Sequence, residues 1–362
     1  MKKIFLSALP LLALLAAPAM AQQTAPQIKF TSVPNFPDLP EGRNFGEVPG
    51  VAVNSKGHVF VFSRSNPAIA GPIFGQAAGE LFEFDADGHY IREIGKGLYG
   101  FAEAHSVRID KDDNIWAIDK GSNMIIKMTP AGRVDMVFGR RIEGVAEFEG
   151  GGMEHPKPGE HLPAQESSYR LPTDVAWDSK GNTYITDGYV NSRVAKYDIN
   201  GDFVRSWGEF GTGDGQFRTP HSIVIDKKDN VYVGDRSNHR VQVFDVDGKF
   251  LRKFQIDVPP DLKTKSVNGN TPTGERLTNG IGAPNSLCIP PDNPNVIFLG
   301  ESTFPGRVFK IDLNGKVLGV IGKSGRKLGS FSGAHALACP SEYLIYVAES
   351  SNWRVQKLIL QK

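Results

Sequence analysis

Beyond its first 21 residues this chain has no apolar run long enough to span a bilayer, which excludes a helical membrane protein. Net charge is almost absent. Lys and Arg number 41 against 40 Asp and Glu, a formal +1, so no basic surface for nucleic acid is expected. Sustained helical periodicity is missing after the leader, which argues against helical solenoids. Cysteine is scarce, with Cys288 and Cys339 the two examples in 362 residues.

Residues 1–21 read as a secretory signal. MKK is its basic start, IFLSALPLLALLAAPA its apolar stretch, and Ala19-Met20-Ala21 a small-residue cleavage site. No cysteine follows the cut, so no lipoprotein anchor is expected. Losing Lys2 and Lys3 takes the formal charge from +1 to −1. The mature chain, 22–362, is expected to be a single domain, periplasmic or secreted, and a monomer.

What the chain has in quantity is a repeat. Residues 221–254 show it most cleanly. HSIVI, VYVGD, RVQVFD and FLRKF are separated by the turns DKKDN, RSNH and VDGK. Four short runs rich in Val, Ile, Phe and Tyr between Asp, Asn and Gly turns read as an antiparallel meander. Equivalent positions are Gly50, His105, Thr173, His221, Asn285 and His335, so there are six repeats. A period of about fifty residues suits propeller blades. The fold expected is all-β, a six-bladed β-propeller of four-stranded antiparallel blades. The sixth repeat is one strand short at Lys362, and QIKFTSV (27–33) has strand composition. That N-terminal strand is expected to close the last blade and cover two open edges.

Three of the six equivalent positions are histidine, 116 and 114 residues apart: AHSVRID (104–110), PHSIVID (220–226) and AHALAC (334–339). In a closed ring they alternate with other blades, one third of a turn apart, and face a common axis. Three imidazoles with an open position form the donor set of catalytic zinc. One histidine at a strand start is more often a satisfied polar residue than a ligand. Three at equivalent positions weigh towards metal, and Gly50, Thr173 and Asn285 between them argue against simple copying of a repeat. The ends of the second strands lie beside these starts. They carry Ser63-Arg64, Asp187-Gly188-Tyr189 and Asp235-Arg236. The connectors 139–170 and 256–283 lead into innermost strands and are expected to overhang the same mouth, and 66–79 interrupts the first repeat. His58, His89 and His239 lie on turns and are given no role. His155 and His161 form a weaker metal candidate. Cys288 and Cys339 stand at opposite parity relative to Asn285 and His335, which places them on opposite strand faces as buried, unpaired thiols.

At 171–244 the sequence resembles the peptidyl-α-hydroxyglycine α-amidating lyases, the lyase domain of peptidylglycine α-amidating enzymes, within the NHL-repeat propellers. The specific elements are DGYVNSR (187–193) and PHS with the following DR (220–236), inside LPTDVAWDSKGNTYITDGYVNSRVAKYD and GQFRTPHSIVIDKKDNVYVGDRSNHRVQVF. The resemblance implies zinc on His105, His221 and His335, Tyr189 as base, and Arg64 and Arg236 holding a substrate carboxylate. The implied reaction cleaves a peptidyl-α-hydroxyglycine-like carbinolamide, small molecule or peptide, to an amide and glyoxylate. The family's structural calcium uses an acidic residue directly after the third histidine. Ala336 stands there, so calcium is not carried over. Val190 replaces the cysteine that usually follows the tyrosine, and Gly333 a methionine. Two other readings compete. One is a non-catalytic NHL-repeat propeller binding protein or peptide ligands in the cell envelope. The other is a metal-dependent hydrolase, although calcium lactonases of the six-bladed class need axial carboxylate and asparagine ligands, and histidines favour zinc.

Overall fold

The computed structural model describes residues 24–64, 79–141, 168–261, 267, 280–302 and 304–362. The expected leader, His155 and His161, and most of the three insertions lie outside them. Six four-stranded antiparallel sheets make up the fold. Their innermost strands are Glu47–Val53, Ala104–Ile109, Asp174–Trp177, Pro220–Ile225, Pro284–Cys288 and Ala334–Ser341. Each inner strand contacts the next, and that of blade six contacts that of blade one, so the ring is closed.

The turns explain why the chain folds back so regularly. In blade four, Asp226 Oδ1 accepts the backbone N–H groups of Lys228 and Asn230 at 2.8 and 2.9 Å. Its Oδ2 takes the Asn230 amide and the Tyr232 hydroxyl. One aspartate therefore satisfies the turn that joins first and second strands. Asp110 and Asp178 repeat the arrangement in blades two and three. A second device locks the far end of the second strand. Asp235 is fully buried and accepts the Arg218 N–H at 2.7 Å and the Arg240 Nε at 2.8 Å. Arg240 in turn donates to the carbonyls of Thr212, Gly213 and Gln216. Asp187 with Arg193, Glu301 with Arg307 and Glu349 with Arg354 repeat this pairing. These carboxylates fix the strand ends from which the site is built. Between blades, alternating Val, Ile, Leu and Phe interdigitate into apolar layers, as with Val241, Leu287, Leu299 and Phe309 between blades four and five.

The N-terminal strand closes the ring as expected. Phe30–Ser32 pairs antiparallel with Arg354–Leu360, Phe30 opposite Leu360 and Ser32 opposite Leu358. Ser32 Oγ donates to the Gln356 side chain at 2.8 Å, and Phe30 stacks on Phe331.

The cysteines correct the parity argument. Cys288 and Cys339 are joined in a disulfide between the inner strands of blades five and six, their Cα atoms 6.1 Å apart. Opposite parity holds, but the conclusion drawn from it does not: Leu337 and Cys339 lie in one apolar layer, Ala336 and Ala338 in the next, and Cys288 shares the layer of Cys339. Opposite strand faces of adjacent blades look at each other across the gap between blades, so opposite parity brings the two sulfurs together.

Candidate metal centre at the channel mouth

His105, His221 and His335 are each the second residue of their inner strand. The ladder skips all three: its register shifts between Ala104 and Ser106, Pro220 and Ser222, and Ala334 and Ala336. A bulge frees a residue from pairing and re-aims its side chain, here towards the axis. The ring centroids form a nearly equilateral triangle with sides of 4.8, 4.8 and 4.9 Å. Blade one corrects the sequence alignment by one residue: Gly50 pairs with Phe62 as Ser106 pairs with Ile118, so Pro49 and not Gly50 holds the position equivalent to the histidines.

The intervening blades orient the imidazoles. His105 Nδ1 is 2.8 Å from the Thr173 carbonyl, His221 Nδ1 2.7 Å from that of Asn285, and His335 Nδ1 2.9 Å from that of Pro49. A carbonyl only accepts, so each Nδ1 carries the proton and each Nε2 presents a lone pair. Burial holds all three imidazoles below their usual pKa, His335 at about 3. The other histidines add to this at His105, Arg236 at His221, and Arg64 at His335. The rings are therefore neutral at pH 7. Potential ligand atoms within 4.8 Å of one another, a fixed tautomer and carbonyls holding each Nδ1 fit a metal ion.

Tyr189 follows the second strand of blade three, in a turn. Gly188 before it packs so closely that a Cβ would meet Thr173 and the Pro220 carbonyl. The Tyr189 hydroxyl is 3.2 Å from His105 Nε2 and 3.1 Å from His221 Nε2, with Arg236 Nη1 at 3.4 Å. Among the described residues no carboxylate pairs with Arg236, and its buried Nε has no hydrogen-bond partner. Arg64 donates through Nε to the Ala104 carbonyl at 2.8 Å and pairs with Glu47. All six expected site residues thus meet at one mouth.

Three charged residues there escaped the sequence reading. Lys120 follows the second strand of blade two, and its ammonium is 5.1 Å from the Tyr189 ring centre. Glu103 lies 2.9 Å from Lys120 Nζ and 3.6 Å from Arg64, and Glu47 pairs with Arg64. The signal for Lys120 was the register itself, since Asp119-Lys120 aligns with Ser63-Arg64 and Asp235-Arg236.

Away from the histidines, a separate cavity of about 350 Å³ is lined by Val53, Ile109, Trp177, Ile225 and Ile289, with Arg108 among its walls. It shares no residue with the metal centre.

Comparison with known proteins follows this geometry. The NHL repeat model matches residues 217–244, which carry His221 and Arg236. Peptidylglycine alpha-amidating monooxygenase of Rattus norvegicus is 30% identical over 232 residues, covering 58% of this chain and 22% of that protein. The probable peptidyl-alpha-hydroxyglycine alpha-amidating lyase pgal-1 of Caenorhabditis elegans is 30% identical over 220 residues, covering 56% of each. The chain therefore spans about a fifth of the rat protein's length and just over half of the nematode's. Virginiamycin B lyase from Staphylococcus aureus superposes with a TM-score of 0.55 at 12% identity, over 92% of this chain and all of that one, a likeness of fold alone. This six-bladed, NHL-repeat propeller is a homologue of the peptidyl-α-hydroxyglycine α-amidating lyases and of the amidating monooxygenases.

Proposed function

We propose that the protein is a zinc-dependent lyase that cleaves peptidyl-α-hydroxyglycine-like carbinolamides to an amide and glyoxylate. The observation that carries this reading is the Tyr189 hydroxyl, set within 3.2 Å of two of three converging imidazole nitrogens and 3.4 Å from Arg236 Nη1. His105, His221 and His335 would hold the metal. When bound, zinc supplies Lewis acidity that makes a hydroxyl on the substrate's reacting carbon easier to deprotonate.

Among the described residues no carboxylate pairs with the Arg236 guanidinium, and it takes the substrate carboxylate through paired donors. Arg64 adds the second cation, with Glu47 as its counter-ion in the absence of substrate. Tyr189, acting as the phenolate, accepts the proton of the carbinol hydroxyl at Oη. The oxygen's electron pair then forms the C=O of glyoxylate, and the C–N bond breaks with its pair on nitrogen. Tyr189 returns the proton to that nitrogen, which leaves as the amide. Atoms and charge balance without a further reactant.

The disulfide suits an oxidising compartment, in keeping with export directed by residues 1–21. The test is elemental analysis of the purified mature protein together with glyoxylate release from α-hydroxyhippurate. One zinc per chain, most of it lost in His221→Ala, and zinc-dependent glyoxylate release are expected. Equal metal in wild type and His221→Ala, or no glyoxylate from zinc-loaded protein, contradicts the reading.

A further inference from the structure

Lys120 has no part in the chemistry above, yet it is not placed like a solvated surface lysine. It follows the second strand of blade two, Ile115–Asp119, in the register that Arg64 and Arg236 hold in their own blades. Its ammonium is pinned 2.9 Å from the Glu103 carboxylate, with the side chain 18% exposed. Its backbone N–H donates to the Glu103 carbonyl.

Tyr189 needs such support. It sits in a turn outside the ladder, follows a residue without a side chain, and is only half-buried. Its backbone N–H makes a long bond of 3.3 Å to the Leu171 carbonyl. Two cations flank its ring, Lys120 from blade two and Arg236 from blade four, each 5.1 Å from the centroid. Their situations differ. Arg236 has no carboxylate partner among the described residues and remains available to a substrate anion, whereas Lys120 is already neutralised by Glu103.

We propose that Lys120 is a positioning residue for Tyr189: its ammonium, anchored by Glu103, holds the phenol ring so that the hydroxyl stays at the mouth beside His105 and His221. The proposal rests on the reading of this mouth as the lyase site. Attraction between a cation and an aromatic face, from exposed to desolvated, changes an equilibrium roughly 2- to 30-fold. Lys120 therefore acts on the fraction of molecules in which Tyr189 is aligned, and so on kcat, leaving the hold on the carboxylate to the arginines.

The experiment uses the mature protein with Lys120→Met and Lys120→Arg. Steady-state kinetics on α-hydroxyhippurate, with metal content checked, should show kcat for Lys120→Met down roughly 3- to 30-fold and KM within about twofold of wild type. Lys120→Arg keeps the cation and should restore most of kcat. Independently of activity, urea unfolding of the metal-free protein is compared for wild type, Lys120→Met, Tyr189→Leu and the double variant. The lysine change should lower the unfolding constant's stability advantage at least about twofold more when Tyr189 is present than when it is Leu. A rise in KM alone, failure of Lys120→Arg to rescue, or strict additivity in the unfolding cycle overturns the proposal. If wild type releases no glyoxylate, the lyase reading falls, and the unfolding cycle alone decides whether Lys120 holds Tyr189.

Discussion

Nδ1 of His335 donates a 2.9 Å hydrogen bond to the carbonyl of Pro49, 286 positions earlier in the chain. The third axial histidine is thus oriented by the first blade, across the seam where the ring closes. The outer edge of blade six is latched by Phe30–Ser32. Loosening the latch should therefore reach the axis. Deleting residues 24–33 is expected to lower the thermal midpoint by several degrees and to weaken zinc binding by about tenfold or more, as loss of second-shell support does. Melting curves and competitive zinc titration measure the two effects. Unchanged values for both would show that the seam is held without this strand.

Deeper in the channel an ion pair joins three blades. Arg108 Nε donates to Asp174 Oδ1 at 2.8 Å and Nη2 to the other oxygen. Asp174 also accepts the hydroxyls of Ser106 and Ser222 and the N–H of Ile223. Asp174→Asn leaves a guanidinium that is only 16% exposed without its counter-charge and should cost up to about 3 kcal/mol, the low end for breaking a buried pair. Replacing both partners together, Arg108→Met with Asp174→Leu, should recover much of that, because a whole buried pair often exchanges for apolar packing at little cost. Urea unfolding of the three proteins decides it. A single variant within about 1 kcal/mol of wild type would remove the pair from the account of stability.

The ring and the blade count were legible because blades two to four repeat the same turn aspartates and all six repeat the apolar alternation. The histidines were legible because they share one register. The carbonyl partners of their Nδ1 atoms were not, since backbone acceptors leave no mark in the side-chain sequence. The chemistry of blades one, three and five lies in the lone pairs of the Pro49, Thr173 and Asn285 carbonyls, and in blade one the sequence alignment fell one residue late, on Gly50. The disulfide was hidden because opposite parity reads as separation on one strand, whereas opposite faces of adjacent blades meet. Lys120 was in plain register with Arg64 and Arg236, but a lysine on a turn reads as solvated until Glu103 and Tyr189 are seen beside it.

Asp119, one residue before Lys120, gives the fold a pH dependence. Its buried carboxyl accepts the N–H groups of Ala102 and Ser122, and burial pushes its pKa up to about 6 from 3.8. Between those values the folded state keeps a proton that the unfolded chain releases. Stability from this group therefore falls as pH rises from about 4 to 6 and is level above that. The gap is worth at most about 3 kcal/mol. Asp187, also raised to about 6 by burial, acts in the same direction. Asp119→Asn should remove this contribution, so that the variant's stability change from pH 4 to 6 is more favourable than wild type's. Asp235 acts as Asp119 does, and His105, His221 and His335, held below their usual pKa, act in the opposite direction in both proteins. Denaturant unfolding of metal-free protein across that range is the measurement, and identical slopes would mean that Asp119 titrates at its ordinary pKa.

Tyr189 separates catalysis from architecture. Its hydroxyl is the only part of the side chain within hydrogen-bonding distance of His105 and His221, while the ring makes the contacts with Lys120 and Arg236. Tyr189→Phe keeps the ring, so fold and zinc content should be retained. Turnover should fall by about 10²–10⁴-fold, the usual loss when a general base is removed. Arg236→Ala should instead act mainly on carboxylate binding and raise KM, with a smaller effect on kcat where the guanidinium meets the hydroxyl. A packing tyrosine forecasts the opposite for the first variant, since losing one oxygen at a half-buried turn changes little. Steady-state kinetics on α-hydroxyhippurate with zinc measured for each variant distinguishes the two. If Tyr189→Phe turns over at close to the wild-type rate, the proton is taken by another group, and the geometry that carries the lyase reading loses its base.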